Sequence, residues 1–288
     1  MGSPGLLERA WQVRQANFPP MLGSDHPSRT YPLSVTGKDC ALDCAHCGKH
    51  YLAKMVAPAQ ALDRCQASPP LSWLISGGCG PDGKVPVLEH LPLLQALKAQ
   101  GHRLNFHVGL VNETEAEAIA ALADAVSFDL VGDGETIREV FGLDRSVGDY
   151  VASYRALRRH TRVVPHVCIG LRGGLPSGEE AALDILAAEG HDTIVFIVFI
   201  PTPGTRYAGR KPPPMDEAVR LLAEARLRFP TTPIGLGCMR PHGAYREALD
   251  SLAVRAGVQR IVQPAPQAVR LAQELGLQIV RSEECCVL

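Results

Sequence analysis

Excess charge of either sign is missing from this 288-residue sequence: 29 Lys and Arg stand against 30 Asp and Glu, for a net charge of -1. Nothing electrostatic therefore draws nucleic acid to it, and a small molecule or a protein is the expected substrate. Long apolar runs are missing as well. The longest is the seven residues 194–200, too short to cross a bilayer. The opening residues lack a basic stretch followed by an apolar one, so no signal peptide is expected and the protein is placed in the cytoplasm without a membrane partner. There is no internal repeat and no Pro/Gly-rich linker, which leaves no point at which to cut the chain into separate domains. Disorder is excluded by a hydrophobic content of 46%.

From residue 70 onward, short apolar runs alternate with longer amphipathic ones, the pattern of strand–helix units around a parallel sheet. Strands are expected at residues 31–36, 72–76, 103–108, 125–131, 162–169, 193–200 and 232–236, with two more near 260–262 and 278–280. Most are near-continuously apolar, as strands covered on both faces should be. Helices are expected at 88–100, 113–122, 178–189 and 215–229, the last entered through prolines and closed by Pro230. The fold class is α/β: a (β/α) barrel of TIM type, either full eight-stranded or partial six-stranded with a C-terminal extension. Residues 1–30 form an N-terminal helical extension and 31–262 the barrel. Residues 263–288 are a helix–strand segment and cysteine tail closing the barrel mouth. Chemistry in such barrels sits where strands end and loops begin.

Nine cysteines are present, and three of them, Cys40, Cys44 and Cys47, crowd into eight residues after the first expected strand. A Cys-x3-Cys-x2-Cys loop reaches three corners of an iron–sulfur cube and leaves the fourth iron without a protein ligand. Structural zinc normally takes its fourth ligand from a second Cys or His pair, and none with suitable spacing follows. His46, between two of the thiolates, is read as a packing residue. Ser76-Gly77-Gly78-Cys79 follows the next strand, where glycine permits close backbone approach to a ligand.

Among the other cysteines, Cys65 and Cys168 suit small buried apolar positions. Cys285 and Cys286 lie in a polar tail, where two exposed thiols are oxidisable unless something binds them. With Cys79 and Cys238 they are the candidate ligands of a second metal cluster. Arg240 adds a fixed cation near Cys238, suited to a carboxylate or a cluster.

The cluster loop resembles the CxxxCxxC motif of the radical S-adenosylmethionine (SAM) superfamily. That resemblance implies a 4Fe-4S cluster whose open iron chelates SAM and cleaves it to a 5'-deoxyadenosyl radical, making Cys40, Cys44 and Cys47 catalytic as well as metal-binding. Ser76, Gly77 and Gly78 resemble the superfamily's Gly-Gly-Glu segment, with Cys79 in place of the glutamate. Asn105, His107, Asp129 and Asp133 match positions of polar SAM contacts, Ile169 lies in the segment that packs on adenine, and Thr202 lies in the sixth-strand end of biotin synthase-like members. Arg240 is matched to a SAM or substrate carboxylate, or to an auxiliary cluster.

These segments, with Val131-Gly132-Asp133-Gly134-Glu135-Thr136 and Glu284-Cys285-Cys286, resemble a group of biotin synthase homologues similar to the components of two-protein lipoyl synthases. The group implies a sulfurtransferase that inserts sulfur into a protein-bound octanoyl chain, here at C6, consuming an auxiliary 4Fe-4S cluster. Its implied partners are an octanoylated or mercaptooctanoylated lipoyl domain or H protein, a second related radical SAM subunit, and ferredoxin or flavodoxin as electron donor. Two alternatives stay open: another biotin synthase-like reaction, such as cofactor methylation or hydrogenase cofactor assembly, and a non-catalytic iron–sulfur protein.

Overall fold

A computed structural model describes residues 4–288. Ten strands form one sheet: β1 (Met21–Asp25), β2 (Thr30–Ser34), β3 (Ser72–Ser76), β4 (Arg103–Phe106), β5 (Ala125–Asp129), β6 (Val163–Ile169), β7 (Ile194–Val198), β8 (Ile234–Leu236), β9 (Arg260–Val262) and β10 (Gln278–Ser282). Their order is β10-β1-β9-β8-β7-β6-β5-β4-β3-β2, and every pairing is parallel. Parallel neighbours need crossovers, and among the described residues ten α-helices accompany the strands: α1 (Pro4–Asn17), α2 (Ala61–Ala67), α3 (Leu91–Ala99), α4 (Glu113–Ala120), the single turn α5 (Gly134–Thr136), α6 (Val147–His160), α7 (Glu179–Glu189), α8 (Met215–Arg228), α9 (Ala244–Arg255) and α10 (Pro266–Glu274).

The expected strand count of eight or six is corrected to ten. Part of the difference is β1, which lies in the stretch expected as an N-terminal helical extension; among the described residues of that stretch 4–17 are helix, and Met21–Asp25 pairs with both β9 and β10. Its sequence, Met-Leu-Gly-Ser-Asp, has little β-branched or aromatic content, so its sheet partners decide its conformation.

The sheet does not close through a strand ladder between β10 and β2. It curls until the ends meet, and the seam is bridged where β2 begins: Arg29 N–H donates to Glu283 O at 3.0 Å and Cys285 N–H to Thr30 Oγ1 at 2.8 Å. Along the strands the side chains alternate in kind. Phe106, Val126, Phe128, Val167, Ile169 and Phe196 belong to the large core shared with the helices. The intervening residues point inward, and many are polar: Asn105 and His107 on β4 and just beyond, Ser127 and Asp129 on β5, His166 and Cys168 on β6. TIM barrels usually fill this space with bulky branched side chains. This barrel instead has a polar lumen.

Candidate functional site

The loop after β2 folds onto the turn after β3. Gly78 N–H donates to Thr36 Oγ1 (2.7 Å), Cys79 N–H to Cys40 Sγ (3.2 Å), and Ala41 N–H to Cys79 O (2.8 Å). Gly78 is required by this contact, because a Cβ there would lie 1.9 Å from Asp39 O. Ser76 Oγ donates to His107 O at 2.9 Å, tying the turn to the loop after β4. Ser76, Gly77 and Gly78 are thus brought to the three-cysteine loop, and Cys79 comes with them.

Burial pushes the Cys44 thiol up to about 12, with the charges of Cys47, Cys79 and Cys40 adding to it. Burial and Cys40 likewise lead Cys79 up to about 12. Cys44, Cys47 and Cys79 thus sit, beside Cys40, where burial disfavours their negative charge, which suits a cationic iron–sulfur core. Among the described residues, no group of three His, Cys, Asp or Glu side chains is arranged around a single metal-ion position. A cubane makes a different demand, since its three protein thiolates sit on three separate irons. The loop's residues therefore fit the cluster that the sequence implies.

Beneath the loop lies the polar lumen. His107 Nε2 and Asp129 Oδ2 are 3.1 Å apart, and their side chains remain 37% and 46% accessible. Burial alone would raise Asp129; the charge and hydrogen bond of His107, with help from His166 and His46, bring it down to about 2. Burial opposes the proton on His107, yet Asp129 wins and its pKa is raised. Burial lowers His166 despite Asp129 and drives His46, in the cluster loop, to about 4.

Other expected site residues are placed differently. Asn105 is fully buried and exchanges hydrogen bonds with Ser127. Its Nδ2 lies 3.7 Å from Cys285 Sγ, at the end of the lumen away from the cluster loop. Asp133 caps α5, accepting from Glu135 N, Thr136 N and Thr136 Oγ1. Ile169 faces the helices, so its side chain is turned from the lumen and Cys168 takes the inward position. Thr202 Oγ1 donates to Ile200 O (3.1 Å) and pairs with the Tyr51 hydroxyl (3.1 Å), a tie between the cluster segment and the β7 loop that the sequence did not reveal.

Arg240 needs a correction. Its side chain is 0% exposed and grips Asp250, also 0% exposed, through two hydrogen bonds of 2.6 and 2.8 Å, while donating to Gly237 O and Val262 O. It is a brace between the β8 and β9 loops and has no free donor face for SAM or a cluster.

The tail is also corrected: it does not close the mouth. Cys285 N–H meets Thr30, Cys286 O meets Arg260 Nη1 (3.3 Å), Val287 O meets Arg162 Nη1 (2.5 Å), and Glu284 pairs with Arg103. Each partner begins a strand or directly precedes one, so the tail crosses the floor of the barrel. Val287 packs there on Ala125, Val164 and Val195. The four cysteines expected at a second cluster consequently divide. Cys79 is coupled to Cys40 and Cys47, whereas Cys238, Cys285 and Cys286 are coupled to one another. A hydrogen bond from Cys286 lowers the Cys285 thiol, and the same pairing raises that of Cys286.

Asp25, at the end of β1, escaped sequence reasoning. It is fully buried, neither carboxylate oxygen has a hydrogen-bond partner, and Arg260 Nη1 approaches to 3.3 Å.

The class of protein defined at this point is an α/β barrel with a polar lumen and a thiol-bearing loop at the C-terminal end of its strands. Solved structures share the fold. Methylornithine synthase (PylB) superposes with a TM-score of 0.69 at 16% identity, covering 98% of this chain and 91% of its own. The FeFe-hydrogenase maturase HydG from Carboxydothermus hydrogenoformans gives 0.67 at 17%, covering 95% and 71%. HMG-CoA lyase from Brucella melitensis gives 0.51 at 13%, covering 89% and 93%. No family model matches the chain, and no curated protein matches it. At these identities the likeness concerns the fold, and the site must carry the function.

Proposed function

We propose that this chain is a radical SAM enzyme whose 4Fe-4S cluster is held by Cys40, Cys44 and Cys47. The observation that carries the reading is the seating of the Cys-x3-Cys-x2-Cys loop on the Gly77–Gly78 turn, so close that Gly78 has no space for a Cβ. Structural neighbours that are radical SAM enzymes, PylB and HydG among them, support it. When bound, the cluster and SAM supply a 5'-deoxyadenosyl radical. The chain's residues supply the rest. Cys40, Cys44 and Cys47 would hold the cluster, the Gly77–Gly78 turn would offer its backbone beside it, and the tail crosses the floor of the lumen below.

Within this class the reading is sulfur insertion into a protein-bound octanoyl chain, as the second sulfuration at C6, with an auxiliary 4Fe-4S cluster as sulfur source. The cysteines away from the cluster loop support a second centre: Cys285 and Cys286 lie at the floor, and Cys238, just past the end of β8, feels the charge of both. The carrier would be a lipoyl domain or H protein, working with a second radical SAM subunit and a ferredoxin or flavodoxin. A second reading rests on Cys79, whose nearness to Cys40 allows a closed four-thiolate centre without SAM chemistry.

Anaerobic reconstitution followed by iron and sulfide counting tests the proposal, on the wild type and on a Cys40, Cys44, Cys47 triple alanine variant. About eight irons and about four, respectively, are expected for two clusters. About four and almost none would remove the auxiliary cluster and with it the sulfur-insertion reading. Mass spectrometry of octanoyl-lysyl and 8-mercaptooctanoyl-lysyl peptides then reports whether sulfur is retained in the product.

A further inference from the structure

Acidic residues are absent from one side of the barrel mouth. Residues 44–60, 199–214 and 237–246, in the loops after β2, β7 and β8, hold seven Lys and Arg and no Asp or Glu, in a chain with 29 Lys and Arg against 30 Asp and Glu. The fold makes one surface of them. Tyr207 N–H donates to Ala45 O at 3.0 Å, a Cβ on Gly48 would lie 3.2 Å from Thr205, and the Tyr245 hydroxyl donates to Pro213 O at 3.0 Å. Arg210 continues the surface to the loop after β6, where its side chain lies against Gly173. Two of the seven cations are spent internally, Arg240 on Asp250 and Arg246 on Val262 O and Gln263 O. Arg206 ties the loops together through Asp43 O and Glu139 O and keeps half of its side chain exposed. Lys49, Lys54, Arg210 and Lys211 are exposed, and none of them pairs with a carboxylate among the described residues. Asp43 and Glu139 border the surface, the first 3.9 Å from Arg206 Nε and the second accepting from the Tyr207 hydroxyl.

The loop after β7 is also stiff. Pro201, Pro203, Pro212, Pro213 and Pro214 fix five of its φ angles, so little freedom remains to be lost when a partner settles on its cations. The cations are spread along the rim and do not converge on a buried point, an arrangement that fits an extended acidic surface better than a small anion. A net charge of -1 gives polyanions no long-range attraction to the chain as a whole, which favours a protein partner over nucleic acid. A substrate tethered to another protein has to be delivered at the C-terminal ends of the strands, where barrel chemistry takes place, and this surface stands beside that entrance. We propose that the acid-free rim docks an acidic face of the protein that carries the substrate, with Arg210 and Lys211 at its centre. The inference rests on the protein-bound-substrate reading and adds to it the surface on which the carrier is recognised. Complementary charge of this kind chiefly speeds encounter and is screened by salt.

Binding of fluorescently labelled 8-mercaptooctanoyl H protein to the reconstituted full-length protein would be measured by anisotropy, apart from any turnover. The comparison is between the wild type, Arg210→Glu/Lys211→Glu, the milder Arg210→Gln/Lys211→Gln, and Arg9→Glu/Arg270→Glu, which reverses two exposed cations on the outer helices α1 and α10. At low salt the Kd is expected to rise about tenfold or more in the rim reversal, partway in the glutamine pair, and to stay within about twofold of the wild type in the outer reversal. Added salt should weaken the wild type towards the rim reversal. Equal affinity of the wild type and the rim reversal, or an equal loss in the rim and outer reversals, overturns the inference while leaving sulfur insertion standing. So does a wild type that sulfurates the 8-mercaptooctanoyl-lysyl peptide without binding the carrier. Tighter wild-type binding of single-stranded DNA than of the carrier, lost in the rim reversal, overturns it by assigning the cations to nucleic acid. The expected binding pattern with no sulfur transferred to carrier or peptide supports the docking surface and strikes the sulfur-insertion reading alone.

Discussion

Cys79 stands where the resemblance has a glutamate, and its backbone N–H is committed to the Cys40 sulfur. If three thiolates hold the cluster, Cys79→Ser retains the iron of that cluster and the cleavage of SAM; loss of both in the reconstituted variant would mean that four thiolates hold it. Arg240 and Asp250 make a different kind of case, a buried bidentate pair with no solvent. Asp250→Ala leaves the guanidinium uncompensated, and urea unfolding is expected to show a loss of about 3–5 kcal/mol. Asp25 gives a pH signature. Burial, only partly offset by Arg260, raises its pKa from an ordinary 3.8 to about 6. The protonated form is the one the fold favours, so its stabilisation is complete below about pH 4 and is lost as pH rises through about 6. Asp25→Asn should therefore be more stable than the wild type above pH 6, by up to about 3 kcal/mol, and should flatten stability between pH 4 and 6. Equal stability of the two proteins at pH 7 would contradict this.

At the scale of elements, the tail is where sequence and structure part. Two thiols in a polar segment indicated that something covers them, but nothing in residues 281–288 distinguishes the two ends of a barrel. The arginines that decide it, Arg103, Arg162 and Arg260, each stand at or just before a strand start and look like ordinary flanking charges until the strands are assembled. Val287 is the apolar anchor of this floor at 1% exposure. Val287→Ala should cost about 2 kcal/mol in thermal or urea unfolding; an unchanged midpoint would show that the tail does not seal the barrel. The strand near 72–76 was readable to the residue, and most others to within two, because apolar runs bounded by Gly and Pro are local signals. Helix α6 was missed although its start is signed: Ser146 accepts from Asp149 N, and the Asp149 carboxylate accepts from Ser146 N, a capping box.

For the molecule as a whole, the parallel α/β barrel and the place of the thiol loop follow from periodicity and spacing alone. The number of strands does not, since β1 is short and held only by its neighbours. Asn105, His107 and Asp129 are already marked by the resemblance, but His166 is not, and the common inward face of the four emerges only once register fixes which residues alternate. No helix among the described residues is long and apolar enough to cross a membrane.

The measurement that tests the account most directly is 5'-deoxyadenosine formation from SAM by the anaerobically reconstituted, reduced protein. The account predicts its formation by the wild type and its absence from the Cys40, Cys44 and Cys47 alanine variants. A wild type that carries its iron and sulfide in full yet forms no 5'-deoxyadenosine would contradict the radical mechanism and leave the loop as a structural metal centre.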